Sequence, residues 1–376
     1  MDSTFWMDRA LALAGRGRGL TAPNPAVGAV LVKDGRLVGE GWHRGPGRPH
    51  AEAEALDDAR RRGLDPRGAT LYVTLEPCCH TGAGTRTPPC AQRLIAEGVS
   101  RVFAALPDPN PLVAGRGRTL LLDAGVGFEW GPRQQEARDL VADFAAWIGQ
   151  RRPYFTLKWA QTLDGQKTGQ PLGTRWITGE ASRTEAHRLR SFHDTVAIGA
   201  GTLRLDDPSL TVRRVPASSA GQPRRLVFAG RRPLPPASRL FNDEDRDKTW
   251  IVADPSVPVW DQAVGLVAGR CIPWSGGDPA DLWERLLDAG FHRILVEGGP
   301  TLLDSFVRWG TWDRAAVFVA PCLGGARSSE PGVHPPVNLV EPQWRHFQPD
   351  ALLEGWNPKA PALMAQQARE ALCSQV

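Results

Sequence analysis

Three metal-binding side chains far apart in the sequence constrain this chain more than any other feature. His50-Ala-Glu52, Pro77-Cys78 and Cys90 supply one imidazole and two thiols. A catalytic zinc needs three protein ligands of this kind and an open fourth position, where a bound water ionises near neutral pH. A fold that satisfies such a site must bring positions 50, 78 and 90 to one point. Glu52 stands two residues after His50, too close along the chain to serve comfortably as a fourth ligand. It is well placed to move protons between a water and a substrate.

Blander readings exist for each residue. A lone histidine is usually a solvated or hydrogen-bonded surface group, and Glu52 could be a helix N-terminal acid serving only the helix dipole. The cysteines between 78 and 90 could form a disulfide framework, but such frameworks belong to small secreted chains. This chain has 376 residues, and its start, Met-Asp-Ser-Thr-Phe-Trp, lacks a basic region followed by an apolar one. It also lacks an apolar run long enough to cross a bilayer, so a cytoplasmic enzyme of two domains with no membrane partner is expected. The formal net charge is only +4, and the arginines are spread along the chain instead of forming a stripe, which argues against a nucleic-acid partner. Zinc, two thiolates, an imidazole and a separate glutamate are together the equipment of hydrolytic nucleobase deamination.

Periodicity places these residues. Phe5 to Ala14 reads as a helix closed by the glycines from Gly15 to Gly19. Ala26–Val32 and Arg36–Trp42 flank Asp34-Gly35, a hairpin signal, so the first sheet begins antiparallel. His50 to Arg62 is rich in helix formers and stops at Gly63; Thr70–Leu75 is a buried-type strand delivering Glu76-Pro-Cys78 at its end. Cys90 opens a second helix to Glu97, followed by the strand Arg101–Leu106. The ligands therefore come from a strand end and two helix starts, where unpaired N–H groups favour thiolate.

Pro23-Asn-Pro-Ala-Val-Gly28, His50-Ala-Glu52, Thr74-Leu-Glu-Pro-Cys78, Arg86-Thr-Pro-Pro-Cys90 and Asp108-Pro-Asn-Pro111, in that order, resemble the deaminase half of the bifunctional riboflavin-biosynthesis deaminase–reductase family. The usual deaminase signature is Pro-Cys-x-x-Cys, whereas that family has a longer loop between its cysteines. This chain carries a few further residues there, around Gly82-Ala-Gly-Thr85, and has Cys79 where a serine is common. The resemblance assigns the zinc ligands to His50, Cys78 and Cys90, with Cys79 as the alternative to Cys78, and the proton shuttle to Glu52. Asn24, just before the first strand, falls where related deaminases hold the substrate; as a residue between two prolines it also reads as an ordinary turn asparagine.

After a helical stretch from Glu136 to Gly149, the second half begins near Pro153. Strands are expected at Tyr154–Ala160, Thr195–Gly199, Arg225–Phe228, Thr249–Ala253 and from Arg293, with a helix from Ala181 to Arg190. Alternating strands and helices imply an α/β sheet with ligands at its carboxyl edge. The strand from Arg293 ends in Glu297-Gly-Gly299 and a helix start, a turn that suits a dinucleotide phosphate but that strand-to-helix connections also use for steric reasons alone. Lys158, Thr162-Leu-Asp-Gly165, Trp176-Ile-Thr178, Arg190, Gly201-Thr202, Asp206-Asp-Pro208, Leu210-Thr-Val-Arg213 and Glu297-Gly-Gly299, in order, resemble the reductase half of the same family. That resemblance implies a dihydrofolate-reductase-like fold and NADPH as cofactor. It places Thr174, Arg190, Leu210, Arg213 and Glu297 at substrate positions, Arg190 and Arg213 pairing with a ribose 5-phosphate. Ala160, Trp176, Thr202, Asp206, Gly230 and the turn Gly299-Pro300-Thr301 fall at NADPH positions; Gly230 stands where a serine often contacts the nucleotide. Lys158 and Asp207 are candidates to assist the reduction.

The expected architecture is α/β throughout: a cytidine-deaminase-like three-layer αβα domain over residues 1–150 and a dihydrofolate-reductase-like domain over 151–376. The resemblance runs from about Met7 to about Leu323 and assigns nothing after Pro335. It implies deamination of a diaminohydroxy-phosphoribosylaminopyrimidine, one zinc per chain, then NADPH-dependent reduction of its ribosyl group to ribityl. The partner is thus a small molecule, and a homo-oligomer is expected. The competing reading is a zinc deaminase of another nucleobase or of tRNA whose C-terminal domain is catalytically inactive.

Overall fold

The computed structural model describes residues 2–79, 89–111, 113–167, 176–218, 221–324 and 337–363. The chain divides into two compact units, Arg151–Ala360 and Met1–Gln150 with Pro361–Val376. The sequence reading carried the second domain to Val376; here residues from Pro361 group with the first unit, where Pro361 lies beside Gly149. No helix among the described residues is long and apolar enough to cross a membrane.

In the first unit α1 (Ser3–Gly15) precedes the hairpin β1 (Gly28–Lys33) and β2 (Arg36–Trp42). There follow α2 (Ala51–Arg61), β3 (Thr70–Val73), α3 (Cys90–Ala96), β4 (Arg101–Ala104), α4 (Arg116–Asp123), β5 (Gly127–Trp130) and α5 (Gln134–Gln150). The sheet order is β2-β1-β3-β4-β5, with β1 antiparallel to both neighbours and β3, β4 and β5 parallel. Glycines show how the layers form. A Cβ on Gly28 would collide with the Ala10 carbonyl of α1, and one on Gly39 or Gly41 with the backbone of α2. Gly41 pairs with Ala29, the neighbour of Gly28. Successive strand residues face opposite sides, so α1 and α2 cover opposite faces and complete an αβα sandwich. α4 and β5 were not anticipated from the sequence: Arg116–Asp123 buries only Gly117 and Leu121, too few positions to show as a helical apolar face.

The second unit is built on nine strands ordered β10-β9-β8-β7-β11-β6-β12-β14-β13. They are β6 (Tyr154–Thr162), β7 (Thr195–Gly199), β8 (Arg224–Phe228), β9 (Thr249–Ala253), β10 (Cys271–Pro273), β11 (Arg293–Val296), β12 (Arg314–Ala320), β13 (Val340–Phe347) and β14 (Asp350–Trp356). All from β10 to β12 are parallel, and β14 and β13 close one side antiparallel. The helices are α6 (Glu180–Ser191), α7 (Ala200–Asp206), α8 (Arg239–Asn242), α9 (Val259–Leu266), α10 (Pro279–Asp288) and α11 (Pro300–Trp309).

The hairpin β13–β14 occupies sequence to which no role was assigned. β13, Val-Glu-Pro-Gln-Trp-Arg-His-Phe, is an edge strand with mostly exposed side chains, and Pro342 falls at its register shift. Edge strands need no buried alternation and tolerate proline, so the pattern did not read as a strand. The hairpin has a specific task. Asp350 accepts hydrogen bonds from Gly179 N (2.7 Å) and Ser182 Oγ (2.6 Å), tying the cap residue and the third residue of α6 to β14.

Candidate active sites

His50 is the extended residue immediately before α2, Cys78 follows β3, and Cys90 is the first residue of α3. The topology thus brings the three together: their ligand atoms all lie within 4.8 Å of one another. Cys78 Sγ and Cys90 Sγ each lie 3.5 Å from His50 Nδ1. Tetrahedral zinc, with bonds of about 2.3 Å to sulfur and 2.0–2.1 Å to nitrogen, implies an N···S separation of about 3.5 Å, so the donor set fits the ion. Among the described residues no carboxylate joins this group, which is how a site with an open position is built. Cys90 N donates to Cys78 Sγ at 3.3 Å. Hydrogen bonding from Cys90, with that from His50, outweighs burial and holds the Cys78 thiol down at about 4, a bias toward the ligating thiolate.

Glu52 lies in the first turn of α2 and is 4% exposed. Burial first, and then the neighbouring Cys78 thiolate, push its carboxyl up to about 7, where a group can both take and give a proton. Cys79 is outside the ligand group; burial, followed by the charge of Glu76, raises its thiol. The rest of the inter-cysteine loop, residues 80–88, lies outside the described residues. Cys78→Ser and Cys90→Ser are each expected to lose about one zinc per chain by elemental analysis, while Cys79→Ser retains it. Loss of zinc from Cys79→Ser with retention in Cys78→Ser would reverse the assignment.

Two neighbours were not singled out in the sequence. His43 Nδ1 donates to the Pro49 carbonyl (3.0 Å), so in the neutral ring Nε2 is the acceptor for the Asn24 amide at 3.2 Å. Its ring meets that of His50 edge to face, 5.4 Å between centroids, which sets Asn24 next to the ligand histidine's neighbour. Glu76, 2% exposed, accepts from the backbone N–H groups of Gly115 (2.9 Å), Arg118 (3.0 Å) and Asp108 (3.3 Å). It ties the segment from Asp108 to α4 onto the strand end that carries Cys78. Nothing in its sequence context distinguishes a buried acceptor of loop amides from a surface acid.

The second unit opens a cleft of about 1740 Å³ along the carboxyl ends of its parallel strands. Ala160, Trp176, Arg190, Thr202, Asp206, Leu210, Arg213, Gly230, Glu297, Gly299, Pro300 and Thr301 all line it; Thr174 lies outside the described residues. At its centre Glu297 takes Arg190 Nε at 2.6 Å and Nη2 at 3.0 Å, with Lys158 Nζ at 3.3 Å. Burial pushes the Glu297 carboxyl up, but Arg190 and Lys158 together outweigh it and hold the group well below the usual range. Arg190 Nη1 donates to the Thr211 carbonyl at 3.0 Å, so Arg190 is largely committed within the protein, whereas Arg213 is exposed at the cleft.

His187 registers the resulting field. Burial first, then Arg190 and Arg213, lower its pKa to about 4, and its Nδ1 accepts from Arg213 N at 3.3 Å. Leu210 sits at φ 56, a strained conformation for a side chain of this size and one that gathers at binding sites. Gln222 holds the loop by pairing with both N–H and C=O of Val212, at 2.7 and 2.8 Å. Asp207, considered above for the reduction, lines the cleft and accepts from Ser238 Oγ (2.7 Å) and Arg239 N (2.9 Å), anchoring the start of α8.

Glycines line part of the cleft. Gly299 N donates to Thr202 Oγ1 at 3.0 Å, joining the turn after β11 to that after its neighbour β7. Gly201 and Gly230 have no atom within 4 Å of where a Cβ would stand, so ligand can approach the backbone there. Ordinary ligand pockets occupy about 300–1,000 Å³; this cleft has room for a dinucleotide and a second molecule, and NADPH fits it.

Comparison with known proteins agrees with this geometry. Residues 1–106 match the cytidine and deoxycytidylate deaminase zinc-binding region, and residues 153–353 match the RibD C-terminal domain. The riboflavin biosynthesis protein RibD of Aquifex aeolicus (strain VF5) is 41% identical over 320 residues, covering 85% of this chain and 87% of that protein. Acinetobacter baumannii RibD superposes with a TM-score of 0.75 at 33% identity, over 94% of this chain and 98% of that one. The diaminohydroxyphosphoribosylaminopyrimidine deaminase/5-amino-6-(5-phosphoribosylamino)uracil reductase of Thermotoga maritima gives 0.74 at 30% identity, over 94% and 98%. With both halves matched and nearly the full length of these relatives covered, the chain belongs to the RibD family of riboflavin-biosynthesis proteins, enzymes that join a zinc-dependent deaminase to a reductase.

Proposed function

We propose that the first unit deaminates 2,5-diamino-6-(5-phosphoribosylamino)pyrimidin-4-one and that the second reduces the ribosyl group of the product to ribityl. The observation that carries this reading is the coexistence, in one chain, of the His50, Cys78 and Cys90 donor set beside buried Glu52 and a cationic cleft closed around Glu297. The Thermotoga relative is named for the same two steps.

His50, Cys78 and Cys90 hold the zinc, which when bound supplies the Lewis acidity that lets water ionise near neutral pH. Glu52 would take a proton from the attacking water and return it to the departing amine, so that the C–N bond is exchanged for C=O and ammonia leaves. Asn24, oriented by His43, contacts the pyrimidine. The cleft of the second unit would hold NADPH, which when bound would supply the hydride for C1 of the ribose. Lys158, hydrogen-bonded to Glu297, would protonate the ring oxygen as the sugar opens. Arg213, with the remaining donors of Arg190, binds the phosphate. We extend the reading to a cytoplasmic homo-oligomer acting on small molecules only, to be checked by fractionation and by sedimentation.

The test has two arms. Purified protein given the diamino substrate releases ammonia, and given the deaminated intermediate with NADPH it consumes the cofactor's absorbance. Ammonia release without NADPH oxidation would favour a deaminase whose second unit is inactive; tight binding of tRNA would favour a nucleic-acid substrate.

The phosphate site has its own signature. Arg190 and Arg213 repel the imidazolium of His187, so a bound dianion raises its pKa from about 4 toward 6.5. Titration by NMR with and without ribose 5-phosphate reads this directly, and an unmoved His187 at saturation would place the phosphate elsewhere. In the ligand-free protein the lowered value means fewer bound protons than in the unfolded chain between about pH 6.5 and 4, so stability falls as pH drops through that window.

A further inference from the structure

The order of strands fixes which end of the cleft holds which part of a dinucleotide. Glu297 follows β11, Lys158 lies in β6 and Phe318 in β12, so the reacting sugar and the nicotinamide belong at the β11–β6–β12 end. On the reductase reading the pyrophosphate belongs near the turn Gly298-Gly299, which lines the cleft after β11. From there the carboxyl edge continues through β7 to β8, β9 and β10. Strands lie about 4.8 Å apart, so β8 and β9 are two and three steps, roughly 10–15 Å, from β11. The adenosine half of the cofactor must lie over that end.

Arg231 and Arg204 line the cleft at that end. Arg231 follows Gly230 just after β8, is exposed, and among the described residues makes no hydrogen bond or ion pair. Arg204, on α7, donates from Nη1 to the Pro233 carbonyl at 3.0 Å, which fastens α7 to the same loop. The adjacent Arg232 does not line the cleft, and Arg239 is paired with Asp207 at 3.3 Å. The nearby acid, Asp254, also lines the cleft and interacts with Arg231 through its charge without forming a salt bridge; its Oδ1 accepts from Ser256 N (2.9 Å) and Ser256 Oγ (2.8 Å). Gly230, at φ 67 with open space around its missing Cβ, offers neither a hydroxyl nor an obstruction.

The geometry points to Arg231, supported by Arg204, as the residue that recognises the 2′-phosphate of NADPH and so sets the preference for NADPH over NADH. A guanidinium matches a phosphate dianion in shape and charge, and an arginine beside the adenosine ribose is the usual device for accepting this group. The inference rests on the reductase reading above, and binding measurements separate the two.

Zinc-loaded full-length protein, wild type and Arg231→Ala, is titrated calorimetrically with NADPH, NADH and adenosine 2′,5′-bisphosphate. Arg231→Ala is expected to weaken NADPH and the bisphosphate by about 10- to 100-fold, the range of a charge-assisted hydrogen bond, and to leave NADH unchanged. Arg231→Lys recovers part of the loss, and Arg232→Ala binds all three like the wild type. Deaminase turnover and the thermal transition of each variant report folding. Equal weakening of NADPH and NADH, or none, would overturn the assignment of Arg231. A wild type that binds neither nucleotide would sink the reductase reading and this inference with it.

Discussion

Glu52→Gln protein is expected to bind its zinc, keep its reductase rate on the deaminated intermediate, and release ammonia about 10²- to 10⁴-fold more slowly than the wild type, the usual contribution of a positioned acid–base group. The side chain is 4% exposed in the first turn of α2, two residues from His50 and outside the ligand group. Its carboxyl is held by burial at about 7, so both protonation states are accessible under working conditions. Gln preserves volume and hydrogen-bonding reach but cannot carry a proton from water to a leaving amine. Measuring ammonia release, zinc content and NADPH oxidation on the same preparation separates the outcomes. Deamination retained at the wild-type rate would remove Glu52 from the mechanism, and zinc loss would make it a ligand.

Glu297→Gln is expected to have the largest effect on the second unit. Arg190 and Glu297 are 13% and 10% exposed, and Lys158, 16% exposed, shares Oε2 of the carboxylate with Arg190 Nη2. Removing the anion leaves two cations facing each other in a largely desolvated place, and breaking a buried pair in this way costs about 3–5 kcal/mol. For a unit of this size that corresponds to a fall of roughly 6–20 °C in its melting temperature. Reduction should be lost as well, because Arg190 anchors Thr211 in the loop that bears Leu210 and Arg213. Deamination and zinc content should be unaffected. Glu297→Asp restores the charge at a shorter reach and is expected to recover part of the stability. An unchanged transition in Glu297→Gln would show that the pair is compensated by other groups.

The zinc site was legible from sequence because its chemistry is carried by residue type: a His, two Cys and a nearby Glu have few other reasons to occur together, and the helix starts and strand end bearing them have strong local signals. The parallel strands were legible for a similar reason, since Thr195–Gly199 and Thr249–Ala253 are short apolar runs with mostly buried side chains. β13 was not, because an edge strand with a proline carries no alternation to detect. Glu76 was invisible because its role is defined by backbone amides 32 to 42 residues away. The tie of Asp207 to the start of α8 was equally hidden, because its partners Ser238 and Arg239 lie 31 and 32 positions on.

The sequence by itself pointed to the metal-binding group, the α/β class and the order of two halves, because these follow from residue chemistry, from local periodicity or from motifs shared with a family. Only the tertiary structure decided which charges are shared and which face the cleft. Glu297 pairs with Arg190; Asp350 fastens the start of α6 from 171 residues away; and the strand order sets Arg231 at the β8 end of the cleft. Charge pairing depends on distance and desolvation in space, and neither is encoded in separation along the chain.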